Sequence, residues 1–221
     1  LPFLAPLVLD DEVPVRHGAT LVVSKLIVAL SRVNCKLSDE MQKTVRNMVM
    51  KIEKKRLYRG KGGTTMREAA CSLIRGIAMS KMELSLRAQE RLLQTLHENL
   101  QQVREETREE AAKAMSVFSE VYWKKDNEDG IAGKVIEPLL KGLCSDVCSS
   151  RSGSALGLGV LPCEFSGMEI NTPEETVEFI SSNTDSDPFL MVPYENWDGL
   201  TPKSNQSAIQ FWKMAYKNAL N

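Results

Sequence analysis

Four times in this chain an arginine stands just before small residues that open an apolar helical stretch. The copies are Arg16-His17-Gly18-Ala19, Arg67-Glu68-Ala69-Ala70, Arg108-Glu109-Glu110-Ala111-Ala112 and Arg151-Ser152-Gly153-Ser154-Ala155. The arginines lie 51, 41 and 43 positions apart, close to the period of roughly 40–47 residues typical of stacked helix pairs. That period leaves few architectures open. A single helix pair cannot bury its own apolar face, so the units must stack, each against its neighbours. Gly or Ala after each arginine would let helices of adjacent units approach closely. Asp11 and Asp146, five residues before Arg16 and Arg151, are the expected partners of those cations, which otherwise oppose the helix dipole. An Asp–Arg ladder of this kind makes Arg16, Arg67, Arg108 and Arg151 structural residues first.

The expected fold is all-α, a HEAT- or armadillo-like α-solenoid over residues 1–165. Asp10-Asp11 and Pro14 mark the start of a first helix, whose apolar stripe is Ala19, Val22, Val23, Leu26, Ile27 and Leu30. Ser38-Asp39 caps a second helix bearing Met41, Val45, Met48, Val49 and Ile52. After Tyr58–Gly63, Thr64 or Thr65 is the expected cap of a third, which carries Ala69, Ala70, Leu73, Ile74 and Ile77. Its partner spans Leu84–Leu100. Thr107–Trp123, a turn at Asp126–Gly130 and Ile131–Leu143 make the next pair, and the last unit opens at Ser145-Asp146 and stops at Pro162.

Composition changes beyond Phe165. From Glu164 to Asp198 there are nine Asp or Glu and no Lys or Arg. Residues 166–221 thus read as an acidic, aromatic-rich, irregular C-terminal tail, with a helix start at Thr172-Pro173 and a short helix over Gln206–Leu220. The chain begins at Leu1 without a basic leader, as a piece cut from a longer protein would. Its apolar stretches, such as Thr20–Leu30, are interrupted by Ser24 and Lys25, and no membrane association is expected. Five cysteines, an odd number, fit reduced thiols in the cytoplasm.

Catalytic chemistry is hard to find. The two histidines, His17 and His97, have no nucleophile or orienting acid at a recognisable spacing, and packing or surface roles are expected of both. Cys144 and Cys148 lack the further ligands a zinc site needs. No metal, cofactor or catalytic residue is expected, and the chain is not read as an enzyme. The glycine-rich stretch Gly60–Thr65 enters a helix as phosphate-binding loops do, but it lacks their spacing and a preceding strand. Its surroundings stand out more. Lys51–Arg67 holds seven Lys or Arg and one Glu in a chain of net charge −1. Lys54, Lys55, Arg56, Arg59 and Lys61 are therefore either a solvated loop or a patch that steers an acidic protein surface into contact. With one basic patch and an acidic tail, nucleic acid is not an expected partner.

Several strings resemble the tubulin-folding cofactor D family. They are Leu1-Pro2-Phe3-Leu4, Arg16-His17-Gly18-Ala19, Leu57-Tyr58-Arg59-Gly60-Lys61-Gly62-Gly63 followed by Met66-Arg67-Glu68-Ala69-Ala70-Cys71, and Arg151–Pro162. The resemblance covers about residues 1–165, part of the family's C-terminal half, and ends at Ser166. It implies a cytoplasmic chaperone of the microtubule cytoskeleton, without ATPase chemistry. Such a chaperone binds β-tubulin, other tubulin-folding cofactors and an ARF-like small GTPase, and assembles or takes apart the αβ-tubulin dimer. With those partners it stimulates GTP hydrolysis by tubulin. The repeats alone leave a second reading open, a general HEAT adaptor that binds another protein or RNA. An isolated segment of a solenoid would expose core at both ends, so self-association is expected.

Overall fold

The computed structural model describes residues 1–123 and 131–162. The expected turn at Asp126–Gly130 and everything expected of the tail, including the helix over Gln206–Leu220, lie outside the described residues. Within them every regular element is an α-helix: α1 (Leu4–Leu7), α2 (Val13–Arg32), α3 (Asp39–Arg46), α4 (Met48–Lys54), α5 (Gly63–Met79), α6 (Leu86–Leu100), α7 (Glu105–Tyr122), α8 (Ile131–Leu143) and α9 (Cys148–Gly159). The long helices α2, α5, α7 and α9 pack side by side in that order as one layer, and α6 and α8 lie against α7 and α9. This is the helical-repeat, solenoid-like arrangement.

The boundaries follow local chemistry. Ser38 and Ser85 cap α3 and α6, their hydroxyls accepting from the amides of Met41 and Ala88 at 3.4 Å. The single helix expected over Met41–Ile52 is split at Asn47, which ends α3 and begins α4. Neither Thr64 nor Thr65 caps α5. Gly62, in the left-handed region at φ +79°, takes that place, so both threonines fall inside the first turn. Three helices end on a non-glycine residue in the same left-handed region, namely Asn34, Arg56 and Lys81. At each, two amides turn back onto the last carbonyls, as when Arg56 donates to Glu53 and Leu57 to Ile52 at 2.8 and 3.2 Å. This is the Schellman arrangement, commonly built on glycine.

The four arginines do not occupy equivalent places. Arg16, Arg108 and Arg151 are each the fourth residue of their helix, whereas in α5 the fourth residue is Met66 and Arg67 is the fifth. The buried small pair supports this register, standing at +3 and +4 from the fourth residue as Ala19 and Thr20 in α2, Ala69 and Ala70 in α5, Ala111 and Ala112 in α7, and Ser154 and Ala155 in α9. Positions 0, +7 and +11 are also buried, as Arg16, Val23 and Ile27 in α2, Met66, Leu73 and Ile77 in α5, and Arg108, Met115 and Ser119 in α7. One residue is 100° of helix, so Arg67 points away from the place its three counterparts fill.

Nor is the Asp–Arg ladder formed. Arg16 Nη1 donates to the backbone carbonyls of Asp11 and Asp10 at 2.7 and 3.3 Å. Arg108 Nη1 donates to those of Val103 and Gln102 at 2.6 and 2.9 Å, and Arg151 Nη1 to that of Ser145 at 2.8 Å. The acceptors are main-chain oxygens of the loop before each helix, not carboxylates. Charge-assisted hydrogen bonds are worth about 1.5–3 kcal/mol each, against about 0.3–1 kcal/mol for a cation at the wrong end of the helix dipole. The bonds outweigh the dipole.

Close approach is real at some glycines only. A Cβ on Gly153 would lie 1.6 Å from the Leu100 carbonyl oxygen, and one on Gly76 2.6 Å from Ser24 Oγ. At that second crossing Ser24 donates to the Ser72 carbonyl at 2.6 Å, joining α2 to α5. A Cβ on Gly18, the corresponding residue of the first copy, would meet nothing within 4 Å. Against the expectation drawn from Ser24 and Lys25, α2 is long and apolar enough to cross a membrane by length and composition. Its buried Arg16, its stripe on α5 and the Ser24–Ser72 bond fit a core helix instead.

Two substitutions at the same motif position therefore have opposite signs. Gly153→Ala should destabilise the protein by more than about 3 kcal/mol, because helix backbones must separate. Gly18→Ala should stabilise it by about 0.5–1 kcal/mol through helix propensity alone. Chemical denaturation of both variants checks the pair.

Candidate functional site

The segment Lys51–Arg67 forms the end of α4, the loop after it and the first turn of α5. Within the loop, the Arg59 amide donates to Arg56 and the Gly63 amide to Gly60, at 3.0 and 3.1 Å. Two of its glycines have no substitute. A Cβ on Gly62 would fall 2.4 Å from Val13 Cγ1, and one on Gly63 would fall 2.4 Å from the Tyr58 carbonyl oxygen. Those glycines let the loop pack against the start of α2 and against itself. Here the glycine-rich sequence serves close packing.

The expected patch is laid out along this loop. Lys54, Lys55, Arg56, Arg59 and Lys61 are all exposed, as is Lys51. Lys55 Nζ reaches the Leu9 carbonyl at 3.3 Å. The one acid of the segment, Glu53, is turned aside, its Oε1 accepting from Thr95 Oγ1 of α6 at 2.5 Å. The basic side chains thus follow one another as an exposed run of cations, the ridge, at the head of α5, and no described carboxylate pairs with Lys54, Arg56, Arg59 or Lys61.

Arg67 is not part of that ridge. Its guanidinium lies over the Tyr58 ring, 5.0 Å from the centroid, and its Nη1 donates to Asn99 Oδ1 at 2.9 Å. Asn99, fully buried, donates in turn to Cys71 Sγ at 3.4 Å. Burial pushes the Cys71 thiol up to about 12, so it stays protonated and un-nucleophilic. Tyr58 is the anchor of the ridge. Its hydroxyl is buried without a hydrogen-bond partner, and burial, reinforced by the Glu53 charge, pushes the phenol well above its ordinary 10. Neither Tyr58 nor Asn99 was singled out from sequence. A tyrosine in a basic loop and an asparagine near a helix end have no local signal that marks the hydroxyl of the first or the whole of the second as buried.

The other candidates stand apart from the ridge. His17 is half-buried on α2. His97 lies near the Val135 backbone of α8, its Nε2 is buried without a hydrogen-bond partner, and burial lowers its pKa to about 4. Among the described residues no three His, Cys, Asp or Glu side chains gather as metal ligands would. Arg16, Arg108 and Arg151 are tied to their loops as described above, each with a buried, unpartnered Nε.

Over 87 residues the chain is 30% identical to Tubulin-specific chaperone D of Dictyostelium discoideum, a match that covers 38% of this chain and 6% of that protein. The chain thus corresponds to a small part of this relative's length. No protein-family model matches it, and no solved structure does.

Two outcomes test the chemistry around the ridge. Tyr58→Phe removes a hydroxyl that bonds to nothing and should leave stability unchanged or raise it by about 1 kcal/mol. Tyr58→Ala should cost about 3–5 kcal/mol by opening a cavity beneath Arg67. Urea melts distinguish them. His97 gives a pH signature. Its folded pKa of about 4 lies below the roughly 6.5 of an unfolded chain, so the unfolded state binds the proton first as pH falls. Stability should drop by up to about 3 kcal/mol between pH 6.5 and 4. That share of the drop should vanish in His97→Gln, measured as the difference between the two stability-versus-pH curves.

Proposed function

We propose that this chain is a tubulin-folding chaperone segment, a helical scaffold that works by contact with protein partners and carries no catalytic residues. The carrying observation is its 30% identity, over 87 residues, to Tubulin-specific chaperone D. The solenoid-like layer is consistent with that use, since such arrays present extended surfaces to other proteins. In this reading the partner is β-tubulin. Lys54, Lys55, Arg56, Arg59 and Lys61 form the contact, and acidic partner surfaces approach the ridge under charge steering.

The finer parts of the proposal rest on the family resemblance. Other tubulin-folding cofactors and an ARF-like small GTPase join the complex, the αβ-tubulin dimer is assembled or disassembled there, and the work is done in the cytoplasm on the microtubule cytoskeleton. The GTPase-activating effect belongs to the assembled complex, with the nucleotide held by tubulin.

Reversal of all five ridge charges to Glu should weaken tubulin capture by at least about tenfold at low salt, with a much smaller difference near 0.5 M salt. The measurement is a binding titration of purified αβ-tubulin, with circular dichroism to show that the variant keeps its helices. Equal capture by both proteins at low salt would overturn the ridge as the contact surface.

A further inference from the structure

The ridge has more positive charge than its surroundings balance. Six exposed cations, Lys51, Lys54, Lys55, Arg56, Arg59 and Lys61, line it, and Glu53 is turned toward Thr95. Yet the whole chain carries a net charge of −1, so compensating charge is concentrated elsewhere in the sequence. It lies between Glu164 and Asp198, with nine Asp or Glu and no Lys or Arg. That segment begins two residues after Pro162, just beyond α9.

We propose that the acidic segment 164–198 docks on the Lys54–Lys61 ridge of its own molecule and occupies the surface that acidic partners would use. Reach is not a constraint. The ridge stands at the head of α5, two helices away from α9 in the layer, or about 20 Å at ordinary interhelix spacing. The length of α9 adds about 18 Å. Residues 163–198 can span more than about 100 Å when extended. Tethering also raises the effective concentration of the segment to about a millimolar, so a weak electrostatic contact is enough to occupy the ridge. Such a contact between exposed charges is screened at high salt. The consequence for partner access rests on the reading of the ridge as the tubulin-facing surface. The docking itself does not.

The test uses the full chain at low micromolar concentration and low salt, treated with a carbodiimide that joins amines to carboxylates without a spacer. Mass spectrometry of the monomer should find Lys54, Lys55 or Lys61 joined to carboxylates of residues 164–198. These links should disappear near 0.5 M salt and when the nine acids are replaced by Gln or Asn. Their absence from the monomer at low salt, or their presence only between molecules, overturns the proposal. A second arm measures tubulin binding. If the docked segment leaves the ridge free about one-fifth of the time, neutralising the nine acids should tighten binding about fivefold. Links present with unchanged tubulin affinity would overturn the ridge as the tubulin surface. Links absent, with ridge charge reversal still weakening capture, would overturn the docking alone.

Discussion

The guanidinium groups of Arg16, Arg108 and Arg151 reach back over the first turn of their own helices and hold main-chain oxygens of the loop before it. Each such closure fixes the path by which the chain enters a layer helix. The third and fourth positions after the arginine then present small residues to the neighbouring helix, and the seventh presents a larger one, Val23 in α2 and Met115 in α7. Entry angle and packing register are thereby set by one side chain. Lysine is no equivalent here. A flexible four-carbon stem ending in a compact ammonium does not pre-organise its donors as the rigid guanidinium does, whose Nη1 alone meets two carbonyls in Arg16 and in Arg108.

α5 departs from this scheme, and the departure explains the ridge. With Met66 at the fourth position, no guanidinium reaches back to the loop ahead of α5. The loop is held from the other side, through Gly62 against Val13, Gly63 against the Tyr58 backbone, and the Tyr58 ring beneath Arg67. Arg67, one residue later, turns toward α6 and closes a buried polar chain through Asn99 to Cys71. Such networks are sensitive to the loss of one member, because a buried group left without its partner bears its desolvation cost uncompensated. The same loop thus carries both a rigid interior and an exposed set of cations.

Periodicity made the helices legible in sequence, because amphipathic spacing records burial directly. The layer order followed from the repeat. Residue type places Arg67 with the other arginines, whereas the buried small pair at +3 and +4 places Met66 with them. Charge type was equally misleading at Asp11, whose backbone oxygen and not its carboxylate is the acceptor. A carbonyl has no signature in a sequence, since every residue has one. Gly18 and Gly153 show the same limit, for their difference depends on whether a neighbouring backbone passes nearby. The exposed ridge cations were visible as a charge run, and the anchor Tyr58 was not.

Rigidity decides what a ridge of this kind can contribute to recognition. Long cationic side chains on a mobile loop lose rotamer and backbone freedom when they meet a partner, and that loss offsets much of their modest Coulomb gain. Here the backbone beneath them is already fixed by two glycine contacts, a Schellman turn at Arg56 and the Tyr58 anchor. The ordering cost then falls mainly on the side chains. In a chain of nearly zero net charge, such a patch attracts little at long range and acts mainly within about a Debye length, roughly 8 Å. In the proposed role its influence would fall on orientation at close encounter. A basic ridge at the head of one layer helix would set which end of the solenoid meets an acidic surface first.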